Sequence, residues 1–315
     1  MHIPIFDGHN DTLQFLRPFD HDTVERFVSR GGSGHVDLQR ARQGGLAGGL
    51  FAVFAPSPAR AESDSDPDFR LTEGGYEVRL ADPIPQQVAL QEALAQTAAL
   101  YRLESASDGA ISVVRSVADI DRCLTAGSIA AVLHCEGADA IDPDLTTLDV
   151  LFEAGLRSLG IVWSRPNAFG HGVPFRFPAS PDTGPGLTDA GKRLVRRCND
   201  LGILLDVSHL NEQGFWDVVR TSSAPIIATH SAAHRICAST RNLTDEQLAA
   251  IRDSDGLVGM NFEVSVVRRD GYDEPNTPLD VYMAQLDYLI QRLGVERVAF
   301  GSDFDGATMP EAMAM

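Results

Sequence analysis

The chain has 315 residues, 43% hydrophobic and 22% charged, which is ample material for a large core and rules out global disorder. Lysine and arginine number 26 against 44 aspartates and glutamates, and the resulting net charge of −18 repels nucleic acids and anionic membrane surfaces. The start, MHIPIFDGHND, lacks the basic stretch and apolar run of a secretion signal, and no apolar run reaches the ~18 residues needed to span a bilayer. A soluble, cytoplasmic protein with no membrane or nucleic-acid partner is expected. Four irregularly spaced cysteines, Cys123, Cys135, Cys198 and Cys237, read as buried free thiols.

In chain order, eight short runs rich in Val, Ile, Leu and Phe read as strands buried on both faces: 3–7 (IPIFD), 49–55 (GLFAVFA), 129–134 (IAAVLH), 158–163 (SLGIVW), 203–207 (ILLDV), 225–229 (PIIAT), 257–262 (LVGMNF) and 297–301 (RVAFG). Helical patterns lie between them over 86–103, 148–154, 190–201, 211–220, 245–253 and 279–293, with Thr188, Asn211 and Thr244 as N-caps. The repeat predicts a (β/α)8 TIM-type barrel forming a single domain over 1–315. Two loop insertions are expected at the active-site rim. One covers 55–85 and carries Glu62, Asp64, Asp66 and Asp68; the other covers 166–185 and is rich in Gly, Pro and Phe.

Ionisable residues gather where these strands end. The first runs into DGHND, and His9 and Asp11, two apart on an extended chain, share a face. The third ends LHCEG and supplies Glu136, with Gly137 behind it to let the chain turn; the fifth ends DVSH with His209, and the sixth ATHS with His230. Imidazoles and carboxylates without a thiolate suit Zn²⁺, Mn²⁺, Co²⁺ or Fe²⁺. Five ligands exceed the needs of one catalytic zinc but suit two ions about 3.5–4 Å apart, sharing Glu136 and a hydroxide made available near neutral pH. The eighth strand ends GSDFDG, which offers Asp303 as the proton carrier and leaves Asp305 without an assigned role. His134 is expected to pack against or orient a ligand.

The ordered set HND, HCEGAD, GLTDAGKRLVRRCNDLGILLDVSH, THSAAHRICASTRN and GSDFDG resembles the membrane (renal) dipeptidase family of amidohydrolase-type metallopeptidases, over almost the whole chain. The resemblance implies hydrolysis of dipeptides, including those with a C-terminal D-residue, by a hydroxide bridging two zinc ions. His9, Asp11 and Glu136 would bind one ion and Glu136, His209 and His230 the other, with Asp303 as acid and base. It also implies that Arg241, in STRN, binds the substrate's terminal carboxylate, which a guanidinium fork can hold bidentately, and that the protein pairs as a homodimer.

Three features depart from the family pattern. The family's carbonyl-polarising histidine after the fourth strand is replaced by Val162-Trp163-Ser164, so Trp163, Arg165 or His171, or the metal alone, must serve. Glu263 stands where relatives carry a tyrosine and would favour a basic substrate side chain. The sequence reaches Met315 soon after the eighth strand, so a barrel without its last outer helix is expected. Two alternatives remain: a related hydrolase of N-acyl amino acids, lactams or lactones, and a non-catalytic metal-binding protein of the same fold.

Overall fold

A computed structural model describes residues 3–29, 31, 34–57 and 69–313. Its frame is a closed ring of eight parallel strands: β1 (Ile5–Asn10), β2 (Leu46–Phe54), β3 (Ile129–Glu136), β4 (Leu156–Gly160), β5 (Leu204–Asp206), β6 (Ile226–Ser231), β7 (Leu257–Asn261) and β8 (Val298–Gly301). Each pairs with its sequence neighbour in the set, and β8 closes on β1 through Asp7 and Phe300. This is the predicted TIM-type barrel, with strand boundaries moved by up to three residues.

All eight residues of β3 are buried, and their alternation shows how the sequence places the site. Ile129, Ala131, Leu133 and Cys135 pack outward into the main core beneath the helices, while Ala130 and Val132 join Leu50 in a small inner cluster. A period of two therefore carries His134 and Glu136 onto the inner face at the C-terminal end. The helices follow the predicted pattern at Gln86–Ala106, Thr146–Glu153, Asp189–Leu201, Glu212–Thr221, Asp245–Asp253 and Leu279–Leu293. Thr188, Asn211 and Thr244 all cap through their side chains, Thr244 in a reciprocal capping box with Gln247.

Several elements escaped the sequence reading. Strand Ile111–Val114 lies outside the ring against the first half of β3, and helices occupy His21–Ser29, Leu38–Gly44 and Val117–Ala126. From the two expected insertions, Phe69–Thr72, Gly75–Val78 and Arg176–Phe177 form a three-stranded antiparallel sheet. Glu62, Asp64, Asp66 and Asp68 lie outside the described residues. No helix follows β8 among the described residues, and none of the described helices is long and apolar enough to cross a membrane.

Part of the barrel interior is backbone against backbone. A Cβ added to Gly8, Gly259 or Gly301 would fall 2.5, 2.0 or 1.9 Å from the carbonyl oxygen of Thr229. Glycine at these three positions lets β1, β7 and β8 close around β6. Gly301→Ala is accordingly expected to cost about 2–3 kcal/mol in urea unfolding, because the obstacle is main chain that cannot rotate away. Gly44→Ala, with open space around its Cβ, is the control and should be neutral or mildly stabilising.

Candidate metal centre

The described rim brings together all five side chains expected to bind metal. Ligand atoms of His9, Asp11 and Glu136 lie within 4.8 Å of one another, as do those of Glu136, His209 and His230. Glu136 belongs to both groups, as a bridging carboxylate must. Its Oε1 is 2.9 Å from His209 Nε2, 3.5 Å from His230 Nε2 and 3.8 Å from His9 Nε2, while Asp11 Oδ2 is 3.4 Å from His9 Nε2. A third group, His9, His230 and Asp303, places Asp303 against the same cluster.

Local backbone explains how these residues reach the rim. Against β2, β1 advances three residues from Asp7 to Asn10 while β2 advances two, so an extra residue sits beside His9. Such irregularities re-aim side chains next to functional sites. His209, Asp303 and Asp305 have positive φ of 65°, 60° and 70°, a conformation uncommon for non-glycine residues that Asp and His enter more readily than most. Here β8 is tied to β1: Asp303 N–H donates to the His9 carbonyl at 3.0 Å, and Asp11 N–H to the Phe304 carbonyl at 2.8 Å. Gly306 then crosses so close that a Cβ would sit 2.1 Å from Asp11 Oδ2. Gly137 turns the chain behind Glu136 with φ of 91°.

The electrostatics fit cation ligands. Burial holds the imidazoles of His209 and His230 well below the ordinary histidine range, helped by Arg241 and by neighbouring histidines, so both are neutral. Both Nε2 atoms, 3.0 Å apart, face the same Glu136 oxygen. Burial lowers His9 as well, but Glu136, Asp11 and Asp303 outweigh it and push this imidazole up to about 10. Among the described residues, neither His9 ring nitrogen, both buried, has a hydrogen-bond partner. The Glu136 carboxyl is raised well above its ordinary value by burial and by Asp11. Buried imidazole and carboxylate ligand atoms, gathered within 4.8 Å of each other, with the His9 ring nitrogens unpartnered among the described residues, match a divalent-cation site.

Asp303 accepts from Asn261 Nδ2 at 2.9 Å, and burial, reinforced by Asp11, raises its pKa. Asp305 is a clasp: its carboxylate accepts from Thr12 Oγ1 at 3.1 Å and from the His35 N–H, while its own N–H donates to His35 Nδ1. The adjoining cavity, about 390 Å³, is lined by Phe54, Trp163 and Phe175 on one side and by Asp11, Glu136, Glu263 and Asp303 on the other.

Arg165 and His171 do not line this cavity. Arg165 is fully buried, with Nε 3.2 Å from Asp139 Oδ1 and further bonds to the Ala55 carbonyl and Ser57, so it braces two rim loops. His171 is engaged through its backbone in a bridge to Pro166 and a bond from Asn211.

Arg241 is 4% exposed, and its Nη2 donates to the His230 carbonyl at 3.1 Å. Its Nε and Nη1 are buried without a hydrogen-bond partner among the described residues. Burial pulls its pKa down against the opposing pull of Glu263, Asp303 and Glu136.

The sequence matches the model of the membrane dipeptidase family (peptidase family M19) over residues 1–313. The chain belongs to that family. It is therefore of the metallopeptidase class, a metal-dependent hydrolase of peptide bonds. A metallopeptidase from Rhodobacter sphaeroides, solved with a phosphinate mimic of the dipeptide L-Ala-D-Ala, is 48% identical with a TM-score of 0.92; the alignment covers 100% of this chain and 89% of that one. An uncharacterized protein from the PQQ-III 3′ region of Acinetobacter calcoaceticus is 42% identical, over 93% of this chain and 90% of its own. Dipeptidase ataJ of Aspergillus terreus is 25% identical, over 96% and 73%.

A buried guanidinium left without an ion pair is a cost to folding. Arg241→Met is therefore expected to leave unfolding stability unchanged, or raise it by about 1–2 kcal/mol. A loss of more than about 2 kcal/mol in urea unfolding would mean that Arg241 serves the fold rather than a ligand.

Proposed function

We propose that this protein hydrolyses dipeptides at two zinc ions, one held by His9, Asp11 and Glu136 and the other by Glu136, His209 and His230. Bound there, the ions would supply Lewis acidity and a water acidic enough to act as a nucleophile near neutral pH. Asp303 moves the proton: it lies beside His9 and Asp11, Asn261 fixes its orientation, and its raised pKa suits a group that takes a proton from the attacking water and delivers it to the departing amine.

The observation that carries the substrate reading is Arg241, with two buried nitrogens that no described residue satisfies. A free carboxylate at the end of a dipeptide would meet both, in the bidentate geometry that guanidinium favours. A longer peptide has no carboxylate to offer at that distance from the cleaved bond. The dipeptide mimic bound to the 48%-identical Rhodobacter relative supports the same reading, and its L-Ala-D-Ala design extends it to a C-terminal D-residue.

The wall of Phe54, Trp163 and Phe175 packs against substrate and keeps water out. Trp163 occupies the place of the absent histidine, where its indole N–H can donate one hydrogen bond to the scissile carbonyl. Glu263 faces the cavity, with Oε1 accepting from Ser265 Oγ at 2.6 Å. It shares the neighbourhood of Arg241, and so reads the C-terminal residue, favouring a basic side chain. Burial and Asp303 push its carboxyl up to about 7. Its charge, and the preference it creates, therefore grow as pH rises through about 7.

A panel of dipeptides, N-acyl amino acids and lactones checks these assignments together. Dipeptides should be hydrolysed, and Asp303→Asn should lower kcat by at least about 10²-fold with metal content unchanged. The preference for C-terminal lysine over alanine should rise between pH 6 and pH 8 and flatten in Glu263→Gln. Inactivity on every dipeptide would overturn the substrate reading, and a flat preference in the wild type would remove Glu263 from it.

A further inference from the structure

We infer that Thr229, held by Asp206, is the positioning residue that makes His230 a metal ligand through Nε2. The inference rests on the metal reading above and concerns the protein's own hydrogen bonds. His230 Nδ1 lies 2.8 Å from Thr229 Oγ1. A hydroxyl in that place can donate to the ring nitrogen or accept from it, and the two choices leave the imidazole proton on opposite sides of the ring.

Asp206 fixes the choice. Its Oδ2 is 2.7 Å from Thr229 Oγ1 and can only accept, so the single hydroxyl proton points to Asp206 and the oxygen lone pair accepts from His230 Nδ1–H. The carboxylate is itself held: Oδ1 accepts from the Thr229 N–H at 2.8 Å and the Ser208 N–H at 2.9 Å. With the ring proton on Nδ1, the lone pair is on Nε2, the atom that faces Glu136 Oε1 at 3.5 Å and His209 Nε2 at 3.0 Å. Asp206, Thr229 and His230 are 1%, 2% and 0% exposed, so no bulk water can stand in for a missing member.

The strand is shaped for this contact. Consecutive residues of a regular strand point to opposite faces. Between Ala228 and Ser231, β6 advances three residues while β7 advances two, from Val258 to Met260, and the extra residue lets Oγ1 of Thr229 and Nδ1 of the next residue meet. Ser164 Oγ lies 2.9 Å from His209 Nδ1 and Ser158 Oγ 2.8 Å from His134 Nδ1, but among the described residues no carboxylate accepts from either serine. Of these three hydroxyl contacts, the one to His230 has its direction imposed from behind.

The test is a titration of the chelator-stripped full chain with Zn²⁺ against a competing chelator, together with the visible spectrum of the Co²⁺ form. Thr229→Val keeps the shape and removes the hydroxyl. It is expected to weaken one ion by about 10–100-fold and alter the Co²⁺ spectrum, while Thr229→Ser restores affinity to within about threefold. Asp206→Asn can keep an oxygen towards the two backbone N–H groups while offering Thr229 a donor, which inverts the hydroxyl; a comparable loss is expected. If the valine variant does not fold by circular dichroism, Asp206→Asn decides by the same titration. Wild-type affinity in either folded variant, or equal losses in the valine and serine variants, would overturn the relay and leave the metal reading standing. A wild-type chain that takes up no divalent ion would overturn both.

Discussion

The rest of the structure depends on one electrostatic constraint. Two neutral imidazoles direct their Nε2 atoms at a single carboxylate oxygen, at 2.9 and 3.5 Å, inside a cluster that is almost fully buried. Lone pairs gathered in this way repel one another and have lost their water, so the arrangement is tolerable when a cation is shared among them. Each further feature of the rim serves that gathering. Residues with positive φ bend the ends of β5 and β8, an extra residue turns β1, and the carbonyl of His9 receives the Asp303 N–H.

Packing and chemistry meet at Thr229. Its carbonyl is the point around which Gly8, Gly259 and Gly301 let three strands close, and its hydroxyl contacts His230. The close approach of β1, β6, β7 and β8 is what brings His9 and His230, far apart in the sequence, into a stacked pair with ring centroids 3.9 Å apart. A side chain at any of the three glycines would push apart the strands that carry the ligands. Stability and metal binding thus draw on the same few backbone contacts.

Much of this was legible in the sequence because the barrel repeats its own logic. Runs such as IAAVLH announce a strand buried on both faces, and a polar residue just past the end of such a run has few reasons to be there. His9 and Asp11 after the first strand, Glu136 after the third, His209 after the fifth, His230 after the sixth and Asp303 after the eighth were singled out in this way, and the structure brings them to one rim. Strand Ile111–Val114 was missed because four residues outside the ring carry too little pattern. What joins distant segments was also hidden: Asn261 on Asp303, Asp206 on Thr229, and Asp305 on Thr12 and His35 are contacts through space. The irregularity in β6 has no sequence signature at all, since neither Thr229 nor His230 is a residue that marks a bulge. Arg165 and His171 looked like substitutes for the absent histidine because they follow β4 closely, but burial and backbone bonding direct them elsewhere.

The most direct measurement is anomalous diffraction at the zinc edge from crystals of the zinc-loaded protein. Two peaks about 3.5–4 Å apart are expected, with Glu136 between them, His9 and Asp11 on one and His209 and His230 on the other. A single peak, or ions bound away from Glu136, would contradict the shared-carboxylate centre on which the account is built.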